Sequence, residues 1–363
     1  MRPPAGTTPA ATAHPLVTVA GMPTSERRRG LALALALPWA GWAVLRVSGT
    51  ERGFPLVPAV SFTPHAAATA VLPLGVAAWA RSVPAGVLSA GAGAALAAAV
   101  MNRAGGSPGA ATGPHIRVAT VSLRKGLVKP GPVLDLVRRH DVDVLSVQEL
   151  TPGAEAALRA AGLETLLPTA HVVAARPGAV PAASGAVWTR LTVTDRGAVP
   201  GTFEQPTVRL APDGAPDVLV TAVHTAPPST SPAAVRDWAG DLAALPAPDA
   251  GVLRVLAGDF NATLDHAALR AVLRRGYVDA ARAAGRALTW TWRPLRLRFP
   301  RLALDHVLVD PRITVAEVRV VRVAGSDHRA VMADLVLPPA DDVHRPAALG
   351  TPTPSRRPVR APW

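Results

Sequence analysis

The sequence predicts an α/β domain of two packed β-sheets flanked by helices, carried behind a set of membrane helices. Three observations lead there. From Ile116 to about Pro338, short β-rich runs alternate with amphipathic helical stretches. About ten such strand-like runs against few helices suit two packed sheets better than one. Ahead of them, residues 31–101 hold three long apolar runs, none with a charge at its centre.

The chain opens on a Pro-, Ala- and Thr-rich stretch without periodicity, so residues 1–26 read as disordered, with Met1 and Met22 both available as starts. Residues 27–103 read as a membrane anchor of about three transmembrane helices. Arg27, Arg28 and Arg29 precede Leu31 to Val47, and the further runs go from Val57 to Ala80 and from Val83 to Met101. Spanning hydrocarbon takes roughly 20 residues. An arginine cluster before a Leu-Ala run also resembles a secretory or twin-arginine signal peptide, but two further apolar runs argue against simple cleavage. The basic residues place Arg27–Arg29 and Arg81 inside, so a multi-pass anchor in the cell membrane leaves the domain after Met101 extracytoplasmic. No charged residue sits mid-span, which argues against transport. Residues 104–115 are rich in Gly and Pro and read as a flexible linker.

In residues 116–338, strands are expected at Ile116–Val121, Val142–Val147, Ala186–Thr189, Thr207–Leu210, Val218–Val223, Val252–Leu256, Leu288–Thr291, Leu304–Val309, Ile313–Val323 and Ala330–Leu335. Helices are expected at Pro132–Arg139, Pro152–Ala161, Pro232–Ala244 and Ala267–Arg274. Gly258 is expected to end its strand. Residues 339–363, with several prolines and arginines, read as a disordered tail.

Composition excludes more than it assigns. The chain has no cysteine, which removes disulfides and thiol chemistry. The net charge of +13 is a weak pointer to nucleic acid, because Lys125 and Lys129 are the only lysines and the arginines are spread along the chain.

The chemistry lies where apolar strands stop. Glu149 follows Val-Leu-Ser-Val-Gln, His224 follows Val-Leu-Val-Thr-Ala-Val, and Asp259 and Asn261 follow Val-Leu-Ala-Gly. Asp305 and His306 sit in Ala-Leu-Asp-His-Val-Leu-Val, and Ser326-Asp327-His328 precedes the last strand. A polar residue at a strand end is ordinary taken singly. Asp305 is not, because an ionised carboxylate in an apolar strand needs a partner or a cation. Brought to one sheet edge, these groups make a carboxylate, imidazole and amide cluster. Oxygen donors of that kind favour Mg2+, with Mn2+ or Ca2+ as alternatives, and the lack of cysteine disfavours zinc.

The ordered motifs Val-Gln-Glu149, Val-His224-Thr-Ala-Pro, Gly-Asp259-Phe-Asn261, Leu-Asp305-His306-Val and Gly-Ser-Asp327-His328 resemble those of the endonuclease/exonuclease/phosphatase superfamily, which has the deoxyribonuclease I-like fold. The helices ahead of the domain look like those of its membrane-anchored bacterial members. The resemblance implies a four-layer α/β/β/α sandwich that hydrolyses a phosphoester with metal-activated water. It implies Glu149 as principal metal ligand and Asp327 as a metal-proximal acid. It implies Asp259 on the attacking water, Asn261 on a phosphate oxygen, and His328 as base or phosphate contact oriented by Asp305. His224 would contact the phosphate or protonate the leaving oxygen. Ser122 stands where the family usually has a metal-arranging Asn, which bears on metal affinity.

The expected substrate is therefore a phosphoester, either nucleic acid or a phospholipid or sphingolipid headgroup, met beside the bilayer and with no obligate protein partner. Thr289-Trp290-Thr291-Trp292-Arg293-Pro294 could stack a base, cover a headgroup or simply pack, and Arg293, Arg296, Arg298 and Arg301 could face phosphate or an anionic membrane surface. A non-catalytic, membrane-anchored binding domain weakened at Ser122 is the rival reading. A serine hydrolase is excluded, since no Gly-x-Ser-x-Gly elbow occurs.

Overall fold

The computed structural model describes residues 24–340, so the expectations for 1–23 and 341–363 lie outside the described residues. The helical segment comprises α1 (Thr24–Ser48), α2 (Leu56–Val60), α3 (Thr63–Thr69), α4 (Val71–Trp79) and α5 (Val83–Met101). The domain follows as β1 (His115–Ser122), α6 (Pro130–Arg139), β2 (Val144–Leu150), α7 (Pro152–Ala160), α8 (Leu163–Leu166), β3 (Thr169–Val173), β4 (Ser184–Thr189), β5 (Thr192–Val199), β6 (Gln205–Ala211) and β7 (Val218–His224). It continues with α9 (Pro232–Ala244), β8 (Leu253–Asp259), α10 (Ala267–Arg274), β9 (Val278–Asp279), α11 (Ala280–Ala283), β10 (Asp305–Val309), β11 (Thr314–Arg322) and β12 (Arg329–Val336).

Two mixed six-stranded sheets result, ordered β11-β12-β1-β2-β4-β3 and β5-β6-β7-β8-β10-β9. Each has one parallel pair near its middle, β1/β2 in the first and β7/β8 in the second. Those pairs need crossover helices, supplied by α6 and α9. Three apolar clusters define the layers. Val118, Val144, Val220, Val255 and Val331 fill the space between the sheets. Val133, Val137 and Leu158 seat α6 and α7 on the first sheet. Trp238, Leu242, Leu269 and Val272 seat α9 and α10 on the second. Each fully buried side chain of this kind contributes roughly 1.5–3 kcal/mol. Helix, sheet, sheet and helix thus stack as four layers.

A polar chain crosses the dry centre and fixes how the sheets meet. Thr120 Oγ1 donates to Gln148 Oε1 (2.9 Å), Gln148 Nε2 to Ser146 Oγ (2.6 Å), and Ser146 Oγ to the Ala257 carbonyl of the opposite sheet (2.7 Å). Every link is buried and satisfied, so the chain specifies register at little cost.

Several expectations are corrected. β8 runs through Gly258 to Asp259 instead of ending at the glycine. Gly258 is there because β7 crowds it: a Cβ would stand 1.9 Å from the Val223 carbonyl oxygen. The Leu288–Thr291 strand is absent; the stretch is a loop, followed at Trp292 by two isolated bridges, to Leu302 and His328. Strands β3, β5 and β9 were not expected. Residues 104–114 are irregular but held to the domain, with Gly109 N–H donating to Val315 O and Leu337 N–H to Pro114 O, both at 2.8 Å. His115, expected in the linker, already belongs to β1.

The second apolar run is not one spanning helix. It breaks into α2, α3 and α4, and Pro58, Pro64 and Pro73 each lie in the first turn of one of them. A proline is tolerated there but cannot continue a preceding helix. α1 and α5, of 25 and 19 residues with mean hydropathy 1.5 and 1.7, are the two described helices long and apolar enough to cross a bilayer. They run parallel: Ala32 of α1 clusters with Ala85 of α5, and Ala43 with Ala92 and Leu96 further along both helices. The broken segment returns between them, from Val57 against the domain to Ala77 beside Ala32.

Candidate active site

Backbone register alone lines up three of the expected side chains. In the second sheet His224 pairs with Asp259 across β7/β8, and Asp259 pairs with Asp305 across β8/β10. The first sheet supplies Ser122 at the end of β1, Glu149 near the end of β2 and His328 just before β12. The groups therefore gather where the carboxyl ends of both parallel pairs open to one side.

His328 joins the sheets. Its Nδ1 lies 2.9 Å from Asp305 Oδ2 and 3.1 Å from Oδ1, and its Nε2 is 3.8 Å from Asp259 Oδ2. Burial alone would discharge the ring, but the Asp305 and Asp259 carboxylates outweigh it and push its pKa up to about 10. Asp259 is raised to about 7 by burial, with the neighbouring His328 opposing and Asp305 adding to the shift. His224 is lowered to about 3, by burial first and then by the charge on His328. The ring of His224 is thus neutral, stacks 4.4 Å from Phe203 and leaves its Nδ1 without a partner. A neutral ring suits phosphate contact better than proton delivery. Glu204, which could have paired with it, instead accepts from Arg176 (2.8 Å).

Asn261 caps the turn after β8. Its N–H donates to Asp259 Oδ1 (2.8 Å) and its Nδ2 to the Thr225 carbonyl (2.9 Å) and Asp259 Oδ2 (3.3 Å). With both amide hydrogens engaged, Asn261 orients Asp259, where a phosphate contact was expected. Asn261 and Glu149 both hold positive φ, 45° and 54°. Such conformations are costly for non-glycine residues and cluster at functional sites. Glu149 owes its own to the irregular register between Val147 and Leu150, which turns its carboxylate toward the Lys125 N–H (2.6 Å).

Two sets of donors could hold a cation. Asp259, Asp305 and His328 bring ligand atoms within 4.8 Å of one another. In that set, however, the His328 ring is committed to Asp305 and carries its proton. The second set is Glu149, Asp327 and Ser122. Asp327 Oδ1 and Ser122 Oγ are buried without any hydrogen-bond partner, and Ser326 Oγ ties their backbones by donating to the Ser122 carbonyl (2.8 Å). Orphaned oxygens beside a strained carboxylate fit a hard divalent ion.

Of the other groups at the site, Lys125 and Phe203 have no sequence signature, whereas Thr291 and Trp292 belong to the Thr289–Pro294 stretch singled out in the sequence. Thr291 Oγ1 accepts from the Leu304 and Asp305 N–H groups (2.9 and 3.0 Å), which fixes Asp305. Lys125, Phe203 and Trp292 line the cleft, of about 500 Å³, with Glu149, His224, Asp259, Asn261, Asp327 and His328. Trp290 lies outside it, stacked by Arg329 (3.4 Å) and Arg301 (5.3 Å). His306 points away, its nitrogens bonded to Asp279 and the Ala262 carbonyl.

A family model described as the Endonuclease/Exonuclease/phosphatase family matches residues 123–328. The chain belongs to that family. The match starts one residue after Ser122 and ends at His328, so it takes in every other site residue named above. Members are in general metal-dependent phosphodiesterases, and the buried Asp259, Asp305 and His328 accord with that chemistry. No curated protein matches the sequence. Solved structures similar to this chain include a humanized D. rerio TDP2 (11% identity, TM-score 0.49, covering 61% of this chain and 98% of that one). An endonuclease/exonuclease/phosphatase from Beutenbergia cavernae is 19% identical (TM-score 0.46; 61% and 72% covered). Sphingomyelinase C from Streptomyces griseocarneus is 17% identical (TM-score 0.42; 61% and 99% covered).

Proposed function

We propose that this protein is a metal-dependent phosphodiesterase anchored in a membrane by the helices that precede its domain. The observation that carries the reading is the buried Asp259–His328–Asp305 array at the floor of the cleft. No packing need explains two carboxylates facing one imidazole, all with almost no exposure.

The roles follow from position and charge. Asp259, raised toward neutrality, is the group able to orient a water and take its proton as the oxygen attacks phosphorus. His328, held cationic by Asp305, faces the phosphoryl oxygens on which negative charge builds. Neutral His224 donates a hydrogen bond from the other side, and Asn261 keeps Asp259 aimed. Glu149, Asp327 and Ser122 would hold the Mg2+. A bound cation supplies further charge stabilisation at the phosphoryl group.

The membrane reading rests on what α1 and α5 leave uncovered. Leu31, Leu33, Leu35, Leu37, Val44 and Val47 of α1 and Val83 and Val87 of α5 are exposed. Only 17% and 22% of the apolar stretches of α1 and α5 are buried, which does not fit core helices of a soluble domain. With Arg27–Arg29 at the inner face, the domain stands outside the cell.

The test uses the full chain in detergent or nanodiscs. Hydrolysis of bis(p-nitrophenyl) phosphate is followed with Mg2+, Mn2+, Ca2+ and chelator, beside Asp259→Ala and His328→Ala. Metal-dependent turnover lost in both variants supports the reading. A folded protein that turns over no diester with any metal supports the non-catalytic alternative instead.

A further inference from the structure

The helical segment does more than precede the domain, because it closes one wall of the catalytic cleft. Pro58, Ser61 and Phe62, from α2 and the turn before α3, line the same cleft as Asp259 and His328. Their position is enforced by several ties. Arg46 at the end of α1 and Arg103 after α5 both pair with the buried Asp265 of the domain. The Glu51 carboxylate accepts from the Ala267 N–H at the start of α10. His266 Nδ1 accepts from the Thr263 N–H (2.9 Å), which leaves Nε2–H to donate to the Val57 carbonyl (3.1 Å).

Phe62 also borders a second hollow, a groove of about 290 Å³ between α1 and α3 lined by Trp39, Trp42, His65 and Ala66 among others. The groove reaches back along α1 to Pro38, ten residues and about 15 Å from the end of that helix at the domain. Its polar atoms are largely spoken for. Trp39 Nε1 donates to the Ala66 carbonyl (3.1 Å) and Trp42 Nε1 to Thr63 Oγ1 (3.1 Å), so both indoles turn apolar faces to the space. His65 Nδ1 is buried there without a protein partner.

A cleft with a polar floor at Asp259 and His328 that shares one aromatic wall with an apolar groove describes the outline of an amphiphile. We propose that the groove between α1 and α3 binds the hydrocarbon chain of a phosphodiester lipid whose phosphate lies against Asp259 and His328. This deepens the phosphodiesterase reading and rests on it. Burying a chain is worth roughly 0.8 kcal/mol per methylene, or close to fourfold in affinity each. The helical segment would then select the substrate, and Phe62 would divide headgroup from chain. Hydrophobic lining with a few convergent polar groups, at an interface of two structural units, is also where small-molecule sites usually form.

The test is a homologous series, p-nitrophenyl methyl, hexyl and decyl phosphates, each below its micelle concentration, given to the full chain with Mg2+. The expected result is a kcat/KM rising at least tenfold from methyl to decyl. That rise should disappear in Ala66→Phe, which fills the groove, and shrink in Phe62→Ala, which removes the wall that groove and cleft share. A flat series in active wild-type protein overturns the proposal, as does an Ala66→Phe variant that keeps the rise. If no diester is hydrolysed, the catalytic reading fails and the groove is judged by binding. A diazirine-tailed decyl phosphodiester should then label peptides carrying Trp39, Trp42 or His65 in wild type but not in Ala66→Phe. Labelling spread evenly over the outer faces of α1 and α5 would count against the groove.

Discussion

His328 Nδ1 sits 2.9 Å from Asp305 Oδ2, and this one pairing ties the loop before β12 in the first sheet to the first residue of β10 in the second. Asp305 is in turn fixed through its backbone by Thr291, so the imidazole is held from behind. A carboxylate in that place sets ring orientation and charge together.

Asp305→Asn separates those two effects. The amide preserves the shape but removes the negative charge that holds His328 near 10. The His328 pKa should fall well below that value, and kcat should drop on the order of 10²-fold or more. An NMR titration of His328 alongside kinetics checks both. A variant in which His328 still titrates near 10 would show that Asp259 alone suffices.

Much of this site was legible in the sequence because polar residues interrupt apolar strands at their ends. Glu149, His224 and Asp259 stand where such runs stop, Asp305 interrupts one, and His328 comes just before another. What stayed hidden has physical reasons. β5 is exposed along most of its length and β3 is half-buried throughout, so neither shows a two-residue alternation. Lys125 and Phe203 reach the cleft from separate loops, with no periodicity to announce them. The inter-sheet chain from Thr120 to Ala257 depends on tertiary register that no local pattern encodes. The second apolar run misled because hydropathy ignores the helix-starting role of Pro58, Pro64 and Pro73.

Ser122 tests the metal site. Its Oγ is buried and unpartnered, at the end of a strand beside Gln148 and Glu149. Ser122→Asn adds reach and a carbonyl acceptor at that point. The Mg2+ concentration giving half-maximal rate should fall severalfold, while Glu149→Gln should raise it at least tenfold. Isothermal titration of Mg2+ into each variant gives the same ranking without turnover. An unchanged Mg2+ requirement in both variants would place the cation at the Asp259 side instead.

His306 makes a pH-dependent contribution to stability. Its Nδ1 lies 2.7 Å from Asp279 Oδ2 and its Nε2 lies 2.8 Å from the Ala262 carbonyl, so both nitrogens face acceptors and both must carry hydrogen. Burial opposes the charge, but the Asp279 hydrogen bond and carboxylate outweigh it and raise the pKa. A folded pKa above the unfolded value of about 6.5 means the contribution is complete below that pH and is lost as pH climbs through the folded value. Asp279→Asn keeps the cap on α11 yet removes the charge. Urea midpoints should show the wild-type advantage over this variant shrinking from pH 6 to pH 9. A constant gap would mean that His306 is neutral throughout.

Asp265 is where the helical segment and the domain are joined most tightly. It has no exposure, and the two guanidinium groups on it, from Arg46 and Arg103, are themselves only 13% and 7% exposed. Removing one partner of a buried ion pair strands the others, at a cost of about 3–5 kcal/mol. Asp265→Ala should therefore lower the melting temperature of the full chain and open residues 104–115 to protease, because Arg103 no longer pins the end of α5. The catalytic array lies on other residues, so hydrolysis of p-nitrophenyl methyl phosphate should survive better than that of the decyl ester. Equal loss on both esters would indicate that the helices support the whole domain and do not merely shape one wall of the cleft. No change in melting or proteolysis would show that His266, Glu51 and the apolar contacts of Val57 hold the two parts together without the ion pairs.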